Sequence, residues 1–365
     1  MERYFLGSNT EKGFCGFYNE TTDKIGSVYL LKGGAGTGKS SLIKKVLKAG
    51  LDKGFKCESW HCSGDPNSLD GVYIKDLDVT VIDATSPHAV EPKIPVVKDN
   101  IVNLLDYADK GKIIKYRDVI EKLSNDKKQC YVCGYEYLNI AFCHFKQIER
   151  IVSSSMKGDE IRLKAKDFAL DILKELRCIN DGVSVGCDDE KTGGVSAYGC
   201  KDKCKISKRF FRAITPDGIA IYLDHLKGKN IWHIKGEVAS VDLFLKTALD
   251  VVMKEVSKVV VFFNPLSTDI IDGFMVGDVV VYVGGDKVDG AMVYDLSWYE
   301  GDFDRYAVSR AKMKMKEEID LATDYFAKAR SVHLSIEKYY ISAMDFDGIN
   351  HLTDKLLVEI FDKVQ

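Results

Sequence analysis

The stretch Gly33-Gly34-Ala35-Gly36-Thr37-Gly38-Lys39-Ser40 is the most informative part of this chain, because its spacing is that of a phosphate-binding loop. Glycines let successive backbone N–H groups turn toward phosphate oxygens. Lys39 would reach the terminal phosphates, and the hydroxyl of Ser40 would bind Mg²⁺. The pattern predicts a bound nucleoside triphosphate, ATP or GTP, with Mg²⁺, contacted by residues 33–40 and by Ser41.

The flanks of this loop agree with that interpretation. Val28-Tyr29-Leu30-Leu31 has the composition of a buried strand. After the loop, apolar residues recur at helical spacing from Leu42 to Leu47, and Gly50 can end the helix. Strand, loop and helix in this order direct the helix N-terminus at the phosphates.

Length and composition narrow the remaining possibilities. A chain of 365 residues is long enough for two domains. A charged fraction of 29% and a net charge of −3 give no general attraction to nucleic acid or anionic lipid, so neither is expected as a partner. No apolar run reaches about 18 residues, and Met1-Glu2-Arg3-Tyr4 does not open a signal peptide, so a cytoplasmic location is expected.

The chain has ten cysteines, and for a chain of this size reduced thiols are the expected state. Two groups have the residue types of a metal site but predict none on spacing alone. They are Cys130, Cys133 and Cys143-His144, and Cys187, Cys200 and Cys204. Whether the second group binds a metal stays open.

Residues 1–175 and 205–365 match in register at several segments, which indicates an internal duplication. Leu31-Lys32-Gly33 recurs as Ile234-Lys235-Gly236, and Val79-Thr80-Val81-Ile82 recurs as Val279-Val280-Val281-Tyr282. We therefore expect an α/β fold of two tandem P-loop NTPase-type units, each with a helical extension. The units would span 1–177 and 208–365, and 178–207 would be a linker or insertion.

The second unit lacks the loop chemistry. Aligned without gaps, Gly33–Ser40 faces Gly236–Leu243, so that Asp242 replaces Lys39. Glu237 would add a negative charge that repels phosphate. The sequence thus predicts one nucleotide site, in the first repeat, and a structural or regulatory role for the second, from which Arg212 or Lys235 could reach the first repeat's phosphates.

Acidic residues can be sorted by the same comparison. Asp83 closes a predicted strand, where an acid can orient Mg²⁺ through water, and its counterpart is Val283. Lys39 and Asp83 are thus the main catalytic candidates, although Asp83 could instead cap the turn before Thr85. Asp65, aligned with Asn264, is a weaker candidate. Asp70 aligns with Asp269 and is expected to be structural.

The chemistry after binding stays open. Asp83 is followed by Ala84 and not by a glutamate that could act as base, so His61, Asp65 and His88 are the local candidates. A small-molecule or nucleotide kinase could use the same loop. A non-catalytic protein whose helical extensions bind another protein is a third possibility.

The combination of Leu31–Ser40, His61-Cys62, Asp65–Asp70 and Asp83–His88 resembles a poorly characterised bacterial family of tandem P-loop ATPase-like proteins. Arg209–Pro216 looks like the start of that family's second repeat. The resemblance spans nearly the whole chain and implies a phosphate loop in both repeats. The sequence near Gly236 departs from that pattern.

Overall fold

The structure, a computed structural model, describes residues 1–180, 204–226, 228–285 and 287–361. It has the predicted α/β class, with two similar six-stranded mixed sheets, two small antiparallel ladders and packed helices. Among the described residues, no helix is both long enough and apolar enough to cross a membrane.

The first repeat contains eight strands and five helices. They are β1 Glu2–Phe5, β2 Gly7–Thr10, β3 Gly13–Gly16, α1 Tyr18–Thr22, β4 Ser27–Lys32, α2 Lys39–Asp52, β5 Cys57–His61, β6 Leu69–Ile74, β7 Val79–Asp83, β8 Asp99–Asn103, α3 Lys110–Ile114, α4 Arg117–Ser153 and α5 Gly158–Asn180. The described part of the second repeat contains β9 Lys205–Arg209, β10 Arg212–Thr215, β11 Gly218–Ile221, β12 Asn230–Lys235, α6 Val238–Val252, β13 Lys258–Phe263, β14 Ile271–Val276, β15 Val279–Tyr282, β16 Met292–Asp295, α7 Arg305–Ile341 and α8 Phe346–Phe361.

The two sheets have the same strand order. The first runs β1-β5-β6-β7-β4-β8, and the second runs β9-β13-β14-β15-β12-β16. In each, one strand, β6 or β14, is antiparallel to both neighbours while the other pairings are parallel. The apolar run of β4 is buried in the sheet interior, as its composition predicts.

The helical extensions connect the repeats. Helices α4 and α7 pack along each other in opposite directions, and the rings of Tyr137 and Tyr325 stack at 5.6 Å. Because Gly134 has no side chain, the ring of Phe326 fits between the two helices. In chain order each extension follows its own sheet, but its last helix packs on the other repeat, because α5 contacts α6 and α8 contacts α2.

The sheets meet where the edge strands β1 and β9 end. Phe5 and Phe210 exchange two backbone hydrogen bonds of 2.9 Å. Beside them, the Arg209 guanidinium lies 2.6 Å from the carboxylate of Glu58, and both side chains are buried. Burial alone would raise the pKa of Glu58, but Arg209 and Lys75 hold it below its ordinary value. The carboxylate is therefore ionised in the folded protein.

The free energy of unfolding is expected to fall in mild acid because His225, which is partly buried, and His61, which is buried, stay neutral in the folded protein. Burial lowers the pKa of His225 to about 4, and both of its ring nitrogens lack a hydrogen-bond partner. His61 has a pKa lowered to about 4 for the same first cause. Since the unfolded chain binds these protons near pH 6.5, the contribution is complete above that pH and is lost as the pH falls toward 4.

The measurement is the free energy of unfolding of wild type and His225→Leu by urea titration from pH 7.5 to pH 4. We expect a shallower loss in the variant, with a difference in slope below about 1.4 kcal/mol per pH unit. Parallel curves for the two proteins would contradict the assignment to His225.

Candidate functional site

The glycine-rich loop lies between the end of β4 and the first turn of α2. Gly36 and Gly38 adopt φ angles of 69° and 92°, in the left-handed region that glycine tolerates best. The hydroxyl of Thr37 donates to the carbonyl oxygen of Gly34 at 3.0 Å. The loop therefore turns sharply twice and delivers Lys39 to the N-terminus of a 14-residue helix.

Lys39 lies across this loop. Its ammonium group donates to the carbonyl oxygens of Gly33 at 2.8 Å and Gly34 at 2.6 Å. It also lies 3.7 Å from Oδ2 of Asp83, and the two side chains are only 11% and 14% exposed. The next residue, Ser40, accepts a 2.9 Å hydrogen bond from the backbone N–H of Leu69, while Ser41 is exposed.

Asp83 is placed by the sheet. Strand β7 runs beside β4, and Asp83 pairs in register with Leu31, two residues before the loop. Its Oδ1 atom accepts hydrogen bonds from the N–H and the hydroxyl of Thr85. The turn-capping role and the position facing Lys39 thus coexist, because each uses a different carboxylate oxygen.

Helices of the second repeat cover the loop, which sequence reasoning missed. A Cβ atom at Gly36 would lie 2.9 Å from the carbonyl oxygen of Glu337, and one at Gly34 would lie 3.0 Å from the ring of Tyr340. Phe346 faces Gly38 from the start of α8. These glycines therefore serve a second purpose, since they let the corner between α7 and α8 approach the loop.

The carboxylate of Glu337 occupies an anion position at this loop. The N–H of Gly36 acts on this carboxylate, which lies 3.5 Å from Nε2 of His333. The pKa of Glu337 is lowered first by His333, and the Gly36 N–H and Lys39 act in the same direction. Its side chain is 28% exposed. A negative group thus lies near solvent beside the Gly36 N–H and the charge of Lys39.

The second repeat has a different structure at the position equivalent to this loop. Helix α6 begins at Val238, directly after Glu237, and the long glycine loop is missing. The carboxylate of Glu300, which is only 3% exposed, accepts hydrogen bonds from the N–H of Glu237 and from the hydroxyl of Ser240. This helix N-terminus therefore carries its own buried anion.

The structure also corrects the gapless alignment of the two loops. The backbone N–H of Ile271 acts on the carboxylate of Asp242, and the equivalent N–H of Leu69 donates to the hydroxyl of Ser40. Ile271 and Leu69 are equivalent in their ladders. Asp242 therefore corresponds to Ser40 and not to Lys39, because the second loop is shorter.

Ladder register corrects two more pairings and supports a third. Asn264 corresponds to Cys62 and not to Asp65. Asp70 corresponds to Asp272, in the same strand position, and not to Asp269. Val79 and Val279 are equivalent, so the residue that follows β15 at the position of Asp83 is Val283. The loss of the loop and the loss of the acid thus occur together.

The other base candidates have local partners. The carboxylate of Asp65 accepts from the N–H of Asn67 at 3.2 Å and the hydroxyl of Ser68 at 2.7 Å, both in its own turn. Nδ1 of His61 lies 2.9 Å from the carbonyl oxygen of Pro66. Arg212 pairs with Asp272 in the second repeat, where it does not serve the first repeat's loop.

The cysteine groups are only partly described. Cys130 and Cys133 lie on α4 and Cys204 lies before β9, whereas Cys187 and Cys200 fall outside the described residues. Among the described residues, one group of three potential metal ligands lies close together, and it consists of Cys62, Asp70 and His88.

Comparison with known proteins adds no further constraint. The chain matches no family model, no curated protein and no solved structure in the three comparisons made. The loop, Asp83 and the helices that cover them are therefore the features that indicate a function.

Proposed function

We propose that the protein binds and hydrolyses a nucleoside triphosphate, with ATP preferred, at a single P-loop in the first repeat and with Mg²⁺ as cofactor. The observation that carries this proposal is the position of Lys39 within the glycine loop, 3.7 Å from Asp83. The second repeat then has a structural or regulatory role.

The residues at the loop fit Mg²⁺, which prefers oxygen ligands. Ser40 lies in the first turn of α2. Its hydroxyl oxygen accepts one hydrogen bond, from the N–H of Leu69, so that its second lone pair can bind an ion. Asp83 has Oδ2 directed toward Lys39. Ser40 would hold the ion directly and Asp83 through water, and the ion would neutralise charge on the phosphates.

The positive charge of Lys39 fits the same proposal. In the structure its ammonium group is satisfied by two loop carbonyl oxygens and by Asp83. Phosphate oxygens would replace the carbonyl oxygens as acceptors, which strengthens the hydrogen bonds because the acceptor is charged. Together with the N-terminus of α2, Lys39 gives a concentrated positive potential in a largely buried place.

Contrasting glutamates support a single site. Glu300 is buried and accepts from two donors at the start of α6, so a phosphate would have to displace a fixed carboxylate there. Glu337 is more exposed and lies at the end of a long helix. A phosphate can displace this carboxylate into solvent at lower cost.

The test is the thermal stability of wild type with Mg-ATP, with Mg-GTP and with each nucleotide in excess chelator. A shift in Tm with Mg-ATP that exceeds the shift with Mg-GTP is the expected result. With a nucleotide labelled on its terminal phosphate, release of free phosphate would then support hydrolysis. Transfer of the label to an acceptor molecule would favour a kinase. If neither nucleotide raises Tm, the proposal is wrong.

Replacing Glu337 by glutamine is expected to tighten binding of Mg-ATP. The variant keeps the shape of the side chain but removes a negative charge that competes for Gly36 and Lys39. A gain of up to about tenfold in affinity is expected, since one charge at a partly exposed place is worth about 1.4 kcal/mol or less.

The measurement is the Kd for Mg-ATP by calorimetry, with Glu317→Gln on the same helix as the matched control because Glu317 is exposed and outside the loop contacts. Weaker binding in Glu337→Gln, with an unchanged control, would show that Glu337 assists the nucleotide and does not compete with it.

A further inference from the structure

Behind the loop, three side chains of different chemistry converge. The thiol of Cys62, the carboxylate of Asp70 and an imidazole nitrogen of His88 offer ligand atoms within 4.8 Å of one another. Nε2 of His88 lies 3.3 Å from Oδ2 of Asp70. Asp70 is 3% exposed and His88 is 8% exposed, so water reaches neither freely.

Apart from Asp83, whose negative charge acts on Asp70, the remaining neighbours of this group are neutral. The hydroxyl of Tyr18 donates to Asp70 at 2.8 Å. The rings of Phe14 and Tyr18 lie 5.4 Å and 5.0 Å from the ring of His88. Nδ1 of His88 has no hydrogen-bond partner although it is buried. A buried carboxylate in such surroundings ordinarily requires a cation.

The second repeat shows how the equivalent carboxylate is neutralised. Asp272 forms two hydrogen bonds with the Arg212 guanidinium, at 2.6 Å and 2.8 Å. By ladder register the residue at the position of Arg212 in the first repeat is Gly7, which has no side chain. The first repeat therefore has the buried acid without the arginine that pairs with it in the second repeat.

The residues at the positions of Cys62 and His88 also differ between the repeats. Cys62 corresponds to Asn264, whose amide donates to Asp272 at 2.9 Å. The sequence that follows β15, from Val283 to Ala291, contains no histidine to match His88. A thiol and an imidazole thus accompany the acid only in the repeat where the arginine is missing.

We infer that Cys62, Asp70 and His88 form a binding site for a borderline-soft divalent metal ion, with Zn²⁺ the best match. Thiolate, imidazole and carboxylate together suit Zn²⁺ and disfavour Mg²⁺ or Ca²⁺. Tetrahedral Zn²⁺ places its ligand atoms roughly 3.3–3.7 Å apart, so the side chains close around the ion by about 1 Å. Three protein ligands leave the fourth position for water.

This site is separate from the proposed nucleotide site in its ligands and in its test. Asp83 faces Lys39 at the loop, whereas Asp70 faces Tyr18 and His88. The experiment contains no nucleotide, so failure of the ATPase proposal leaves the metal site standing, and the reverse also holds.

The experiment measures bound metal in the full-length chain after loading with Zn²⁺ or Co²⁺ and removal of the free ion. Cys187, Cys200 and Cys204 are first replaced by serine together, so that these thiols cannot supply the ligands. We expect about one equivalent of Zn²⁺ to remain, and the Co²⁺ form to show thiolate-to-metal absorption in the near ultraviolet.

In this background, Cys62→Ser and His88→Gln are each expected to lose the metal and the absorption band, whereas Cys143→Ser, at an exposed cysteine on α4, should retain both. Circular dichroism of each metal-free variant checks that it folds, and Zn²⁺ should raise the Tm of the background protein but not that of His88→Gln. Binding that persists after both replacements, or is absent from the triple-serine protein, overturns the inference.

Discussion

Replacing Lys39 by alanine is expected to remove nucleotide turnover almost completely. Its ammonium group is the one positive side chain that the described structure places both on the loop carbonyl oxygens and near Asp83. Without it, the phosphates lose a charge-assisted donor in a largely buried place, where such a donor is worth more than in water. We expect phosphate release to fall by about 100-fold or more.

The measurement is steady-state phosphate release, together with the Tm shift caused by Mg-ATP, in wild type, Lys39→Ala and Lys48→Ala. Lys48 is exposed on the same helix and away from the loop, so its removal should leave both values unchanged. Equal activity of Lys39→Ala and wild type would place any nucleotide chemistry elsewhere in the molecule.

Replacing Arg209 by alanine is expected to cause a large loss of unfolding free energy. The guanidinium is within 2.6 Å of Glu58, and the side chains are 7% and 6% exposed. It also donates to Thr21 at 3.2 Å, at the junction of the two sheets. Truncation leaves a buried carboxylate whose remaining cation, Lys75, is 3.5 Å away. The expected loss is about 3–5 kcal/mol of unfolding free energy.

Urea unfolding of Arg209→Ala measures this loss, and the neighbouring Lys208→Ala is the matched control. Lys208 pairs with Glu20 at 3.0 Å near the surface, so its removal should cost about 1 kcal/mol or less. Adding Glu58→Gln to Arg209→Ala should restore part of the stability, because no unpaired charge is then buried. A loss below about 1 kcal/mol for Arg209→Ala would mean that water or Lys75 neutralises Glu58.

Much of the local structure could be predicted from the sequence. The apolar run before Gly33 and the periodic residues from Leu42 to Leu47 lie in β4 and α2, as predicted. These predictions succeeded because strand and helix patterns depend on neighbouring residues. The α/β class and the repeated order of elements follow from the same local signals.

Alignment within the loops was less successful. The sequence comparison paired Lys39 with Asp242 and Asp70 with Asp269, while the ladders and backbone contacts pair Ser40 with Asp242 and Asp70 with Asp272. Loops can gain or lose residues without changing the sheet, so register is fixed by strand pairing and not by residue counting.

The environment of the candidate site could not be predicted. Glu337, Tyr340 and Phe346 lie about 300 positions along the chain from the loop they cover. They reach it because α4 and α7 pack along each other in opposite directions and α8 packs on α2. No local pattern encodes this exchange of helices, since it depends on which apolar helix face fits which sheet.

The sequence by itself determined the glycine-loop pattern of the first repeat and its absence from the second, and from this it predicted a single phosphate site. Only the tertiary structure decided that a carboxylate of the second repeat, Glu337, lies at the loop of the first. It also decided that Asp70 lacks the arginine that Asp272 has. The physical reason is that loop chemistry depends on adjacent residues, whereas the charge that balances a buried group comes from whichever residues packing brings there.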